Sequence, residues 1–229
     1  MKVVTIIICI IVLVLAAIAY CFYNTNKQMK TEFNFKINNL EQQKAAFENE
    51  LEIKIGEISK EKEEQIVRLK NAYDELVADM EKEIEEGKIQ ITQLADRLSV
   101  SMVDRILFPS GEAEITPEGL EVLERVGKIL KNTQNKIIRV EGHTDNVAIH
   151  SNLQKKFPTN WELSTARAIN VVRFLHENVG IEAVRLQAIG MSEYHPVASN
   201  KTAAGRNRNR RIEIILLPEY GGLSPLPSE

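Results

Sequence analysis

The residues best suited to chemistry lie between Val140 and Arg173, which read VEGHTDN, then an inserted VAIHSNLQKKFPT, then NWELSTARAINVVR. A β-type run, Lys136 to Glu141, ends in Gly142 and the polar triplet His143, Thr144, Asp145. Beyond the insertion, Asn160 or Ser164 is placed to cap a helix that carries Arg167 in its first turns. The layout sets an anion, Asp145, on a loop at a strand end and a cation, Arg167, near a helix start. Together they form a two-charge recognition site, unless they simply pair with each other.

Other chemistries fit less well. Ser164, His143 and Asp145 hold the residue types of a hydrolytic triad, but neither a nucleophile elbow nor an oxyanion signature surrounds Ser164, which reads as a capping or locally bonded hydroxyl. His143, Asp145 and His150 lack a diagnostic metal-ligand spacing. Arg206, Arg208, Arg210 and Arg211 form a basic cluster without interleaved aromatic residues, in a chain whose net charge is −3. That combination argues against nucleic acid. The expectation is a binding protein with no catalytic residue, no metal and no cofactor.

Fragments in order carry a family resemblance: FPSGEAEIT (Phe108 to Thr116), VEGHTD (Val140 to Asp145), NWELSTARA (Asn160 to Ala168), IGMSEYHPVASN (Ile189 to Asn200) and GRNRNRRIEI (Gly205 to Ile214). Over Met102 to Leu217 the chain resembles the OmpA/MotB C-terminal domain, and FPTNWELSTARA with its preceding insertion is closer to the MotB branch. The resemblance implies non-covalent binding of peptidoglycan through the diaminopimelate of its stem peptide. In the family, the Asp of the HTD motif meets the ammonium and the Arg of LSxxRA meets the carboxylate; the matching positions are Asp145 and Arg167. An arginine fork suits a carboxylate in a way lysine does not. Thr144 and Asn160 match positions lining that site, Leu163 reads as core, and Arg211 is implied to be structural or site-flanking. Extra residues separate Asp145 from Arg167 relative to the porin branch, so their proximity requires the insertion to loop out.

These residues need elements to hold them. The expected fold is α+β with two layers, in the order β-α-β-α-β-β, the helices on one face of a mixed sheet. Its strands are expected at Val103 to Phe108, Lys136 to Glu141, Arg185 to Gly190, and through Ile212, Ile214 and Leu216. Thr116-Pro117 starts the first helix, which buries Leu120, Leu123, Val126 and Leu130 and ends near Asn132. The second helix ends near Asn178 and buries Ile169, Val172 and Leu175.

Ahead of this domain (101–217) stand two further segments. Val3 to Tyr23 is apolar apart from Thr5 and long enough, at about 1.5 Å per residue, to cross a bilayer core of about 30 Å. Residues 1–23 read as a transmembrane signal anchor in a bacterial inner membrane, with the C-terminal domain in the periplasm. The alternative is a signal peptide cleaved at Ala17-Ile18-Ala19, leaving a periplasmic or outer-membrane-associated protein. Lysines 27, 30 and 36 outnumber Lys2, so charge counting favours the opposite orientation; the family resemblance is taken to override it. Both cysteines, Cys9 and Cys21, fall in this run, so no disulfide framework exists elsewhere.

Residues 24–100 are rich in Glu and Lys. Apolar residues recur at steps of four and three through Phe33, Ile37, Leu40, Phe47, Leu51 and Ile58, then Ile66, Leu69, Tyr73, Leu76 and Met80, then Ile84, Ile91, Leu94 and Leu98. This reads as a heptad seam with offsets, hence a coiled-coil spacer and a parallel homodimer, with Gly56 and Gly87 as expected bends. Residues 218–229 read as a disordered tail. A stator-type subunit of an ion-driven motor, with a membrane partner protein, is the alternative function. Such subunits carry an Asp in the transmembrane helix, and Val3 to Tyr23 contains none.

Overall fold

A computed structural model describes residues 2–94, 97–133 and 136–218, with side chains from residue 13 onward. Of the expected tail, Pro218 is the last residue of a strand and residues 219–229 fall outside the described residues. The chain divides into two compact units, Met1–Glu61 and Lys62–Glu229.

In the first unit the chain is helical, as part of α1 (Lys2–Asp79). Gly56 lies within this helix, so the bend expected there does not interrupt it. Pairs spaced i, i+4 support the exposed surface, among them Lys54–Glu50 at 2.7 Å and Lys44–Glu48 at 3.6 Å. Among the described residues no helix is long and apolar enough to cross a membrane. Much of the apolar run from Val3 lies at residues whose side chains are outside that description. Phe33, Leu40, Phe47 and Ile58 are exposed.

The second unit begins with the last turns of α1 and continues through α2 (Glu81–Glu85), β1 (Ile89–Leu94), β2 (Arg97–Val103), α3 (Asp104–Leu107), α4 (Pro117–Lys131), β3 (Lys136–His143), α5 (Asn160–Glu177), β4 (Leu186–Ser192), α6 (Ala203–Asn209) and β5 (Arg211–Pro218). The sheet order is β1-β2-β5-β3-β4. Only β3–β4 is parallel, joined through α5, so the sheet is mixed as expected. One face carries Leu98, Val100, Met102, Ile138, Val140, Ile212, Ile214 and Leu216 at every second position. The buried residues of α1, α4 and α5 join that same core, which gives two layers with helices on one face.

The coiled-coil expectation for 24–100 needs correction. Leu69, Ala72, Leu76 and Met80 form one helical face buried in the core of this unit, so the second part of the seam is covered by its own chain. Of the third part only Ile84 is helical, in α2. Lys88 N–H donates to the carbonyl of Glu83 at 2.8 Å and Gly87 N–H to that of Ile84 at 2.9 Å. With Gly87 at φ 65°, this is a Schellman termination. Ile91, Leu94 and Leu98 therefore stand on β1 and β2, and the first expected strand moves back to Arg97–Val103. Val103 to Phe108, expected as that strand, is mostly the short helix α3. Leu120 and Ile169, expected in the core, are exposed; Val122 and Val171 take the buried positions.

Candidate functional site: a charged cleft at the start of α5

The start of α5 crosses the ends of β3 and β4 at the closest distance backbone allows. A Cβ on Gly142 would lie 2.2 Å from the carbonyl oxygen of Ser164, and one on Gly190 would lie 2.0 Å from Thr165 Oγ1. Ser164 Oγ accepts from the N–H of Ser192 at 3.1 Å and donates to the carbonyl of Trp161 at 3.0 Å. Ser192 is a non-glycine residue at φ 53°, beside the irregularity in the β3–β4 register at Gly142/His143. The helix is capped by Thr159 rather than by Asn160 or Ser164. Thr159 and Glu162 form a reciprocal capping box, with the Thr159 N–H donating to Glu162 Oε2 at 2.8 Å. Asn160 and Ser164 are thereby free for tertiary bonds.

Asp145 and Arg167 line one cleft of about 410 Å³, with Thr144 and Asn160. The two charged residues do not pair with each other. Arg167 is buried, lies over the Phe108 ring at 5.0 Å, donates from Nε to the carbonyl of Glu112 at 2.7 Å, and places Nη1 2.8 Å from Asp104 Oδ1. Asp145 Oδ2 is paired with Arg210 Nη1, and its Oδ1 accepts from the N–H of Val147 at 3.0 Å. A guanidinium carries five donors, so Arg167 keeps capacity toward the cleft. Asn160 Nδ2 lies 3.3 Å from the Asp145 carbonyl, 3.1 Å from that of Val147 and 2.7 Å from Glu193 Oε2. It joins three segments around the site. Thr144 is buried, its N–H donating to the carbonyl of Ser192 at 2.9 Å, and its hydroxyl has no hydrogen-bond partner among the described residues.

Arg211 is not in this cleft. Arg210 is the C-cap of α6 and lines this cleft, whereas Arg211 opens β5 on the sheet face opposite Ile212 and Ile214, where it is buried. There Arg211 donates to Glu213 Oε1 at 2.6 Å and to the carbonyls of Asn209 and His195. Asp104 and Arg210 are the site residues that sequence reasoning passed over. A carboxylate inside the apolar run VDRILF was the available signal for Asp104.

Arg105, Arg167, Arg206 and Arg210 face Asp104 and Asp145 in the cleft lining, a surplus of positive charge that favours an anionic group. Burial is the main cause that pushes the Asp104 carboxyl up to about 6 from 3.8, and the neighbouring Asp145 adds to it. Arg167 and Arg210 only partly counter that effect. Burial also lowers Arg167. Neither charge of this pair is fully compensated, which is typical of sites built to meet a ligand.

The insertion is an irregular, largely exposed loop, as the proximity of Asp145 and Arg167 requires, and it folds back along the cleft. Phe157 packs with Ala113 and Leu163 in a small cluster separate from the main core, and Val147, Ile149, His150 and Leu153 wall the cleft. Leu153 packs against Gly111, which sits at φ 74°. Leu163 is buried in this cluster, as expected of a core residue.

Glu141, His143 and Glu213 have donor atoms within 4.8 Å of one another, a separation that a metal ion could bridge. Glu213 already accepts from Arg211, and His143, then Arg139 and Arg211, hold the Glu141 carboxyl below its ordinary range against the effect of burial. The charges are balanced by side chains, so the set reads as an ion network on the sheet face opposite the helices.

Residues 107–210 match the OmpA family model. Motility protein B of Bacillus subtilis (strain 168) is 34% identical over 156 residues, which cover 68% of this chain and 58% of that protein. The cell wall anchor of the T6SS from Pseudomonas aeruginosa is 34% identical, with a TM-score of 0.57, over 63% of this chain and 97% of that one. A putative MotB like protein from Desulfovibrio vulgaris is 29% identical, with a TM-score of 0.62, over 71% of this chain and 99% of that one. The chain spans between 52% and 58% of the length of the first curated relatives it matches. Fold, motifs and matches agree that this chain belongs to the OmpA family.

Proposed function

We propose that the protein binds peptidoglycan non-covalently and without catalysis, tethering a bacterial envelope membrane to the cell wall through the diaminopimelate of the stem peptide. One observation carries the reading: Asp145 and Arg167 line the same cleft, and each is held by a different partner. A zwitterionic ligand can then meet an anion and a cation that have not cancelled each other. Asp145 takes the ammonium and Arg167 the carboxylate, with Thr144 and Asn160 on the wall; Arg210 replaces Arg211 as the flanking cation. The similarity to a cell wall anchor supports this role. Co-sedimentation of residues 62–218 with insoluble peptidoglycan tests it, and a protein that remains in the supernatant sinks it.

The proposal includes a single-pass inner-membrane anchor over Val3 to Tyr23, resting on the length of that apolar run. It also includes a parallel homodimer through residues 33–66, whose apolar stripe is exposed in the chain. Resistance of the full chain to carbonate extraction, with an intact N-terminus by mass, tests the anchor. A motor-stator role is favoured by the similarity to Motility protein B. The absence of any acidic residue from Val3 to Tyr23 makes such a role non-conducting here.

A further inference from the structure

We propose that Trp161 and Tyr194 form a stacking platform for a sugar ring of the glycan strand, next to the charged cleft. The proposal rests on reading that cleft as the stem-peptide site. The two rings stack with centroids 5.5 Å apart and planes 28° apart. Both are exposed, Trp161 at 47% and Tyr194 at 64%, and neither belongs to either buried cluster. The fold therefore holds an aromatic surface in water without using it for its own core.

That surface is fixed in place. Trp161 follows Asn160 in the first turn of α5, and its N–H donates to Thr159 Oγ1 at 3.1 Å. Tyr194 follows Glu193, whose carboxylate accepts from Asn160 Nδ2 at 2.7 Å. Asn160 also bonds the carbonyl of Val147, a half-exposed residue of the cleft wall. The cleft and the ring pair are thus positioned by the same amide.

Ligand chemistry divides the same way. A pyranose presents a face of C–H bonds that complements the electron-rich face of an aromatic ring, and N-acetylhexosamines carry little charge to satisfy. Peptidoglycan branches a charged peptide from such a sugar chain, so the branch suits the charged cleft and the trunk suits the aromatic surface. Two rings are far smaller than the roughly 800 Å² per partner of a stable protein interface.

The chain contains one tryptophan, so its fluorescence reports on this platform alone. The full chain is titrated with peptide-free glycan fragments, followed by emission and by calorimetry, and separately with diaminopimelate-containing stem tripeptide, followed by calorimetry. Glycan fragments are expected to shift Trp161 emission. Tyr194→Ala and Trp161→Phe are expected to weaken glycan binding by about two- to tenfold, the range of an aromatic contact, while leaving tripeptide affinity unchanged. No emission response to glycan, or equal weakening of both ligands, overturns the platform. Glycan binding without tripeptide binding supports the platform and instead removes the stem-peptide reading of the cleft.

Discussion

Arg167 reaches Asp104, with Nη1 2.8 Å from Oδ1, while Asp145 is held by Arg210. The ion pair is buried and its alignment leaves Oδ1 without a hydrogen bond. Asp104 accordingly has a raised folded pKa of about 6 against 3.8. Between those values the folded state binds the extra proton, so the Asp104 contribution to stability is largest at the acidic end and falls as pH rises through the window. The full loss is about 3 kcal/mol. Protonation also releases Arg167 toward a ligand carboxylate. Peptidoglycan binding is expected to tighten from pH 7.5 to pH 5 by about 1 kcal/mol, roughly fivefold. Asp104→Asn should flatten that profile, and a profile with the same slope in the variant would refute the assignment.

Asp145→Ala and Arg167→Ala are each expected to weaken peptidoglycan binding by about 1.5–3 kcal/mol, the value of one charge-assisted hydrogen bond. Arg167 is buried, so Arg167→Lys is the cleaner variant: it keeps the charge and loses the fork. Arg210→Ala should weaken binding more than Arg211→Ala, read by co-sedimentation on variants with unchanged thermal midpoints. The reverse order would restore Arg211 to the site.

Gly142→Ala should destabilise the domain by about 1–3 kcal/mol or more, because the added methyl meets the Ser164 carbonyl, which is backbone and cannot swing away. Urea denaturation gives the number. Gly56→Ala, with nothing within 4 Å of the new Cβ, should instead stabilise helix α1 slightly, by up to about 1 kcal/mol.

A fragment starting at Met102 lacks β1, most of β2 and the buried residues Leu69, Leu76 and Met80, and is expected not to fold. A fragment starting at Lys62 retains them all and should show a cooperative transition. Within it, Leu76→Ala should cost about 2–5 kcal/mol. Cooperative melting of the shorter fragment would show these elements to be dispensable.

Sedimentation equilibrium of residues 24–229 is expected to give a dimer, broken by Leu40→Glu with Phe47→Glu and not by a comparable change at Ile91. A monomeric mass at micromolar concentration removes the homodimer.

Much of the site could be read from sequence because its parts are local: a strand ending in HTD, and a helix start carrying Arg167. Thr116 with Pro117 announced α4 in the same way. What failed was long-range. Leu69, Leu76 and Met80 have helical spacing whether they face a second chain or their own sheet, and spacing cannot name the partner. Ile89 and Ile91 alternate as a strand, yet Ile84, Ile91, Leu94 and Leu98 also continue a heptad; the left-handed turn at Gly87 separates the two readings. The partners of Asp145 and Arg167 lie at positions 210 and 104. No local pattern links them.

The small cluster of Ala113, Phe157 and Leu163 gives the cleft wall an anchorage of its own, apart from the main core. Energetically distant sites vary almost independently. With Val147, Ile149, Leu153 and Phe157 kept as the residues that bond or pack against the rest of the domain, the remaining exposed wall can therefore change in polarity with little effect on folding, so ligand preference in this scaffold is open to redesign through a single loop.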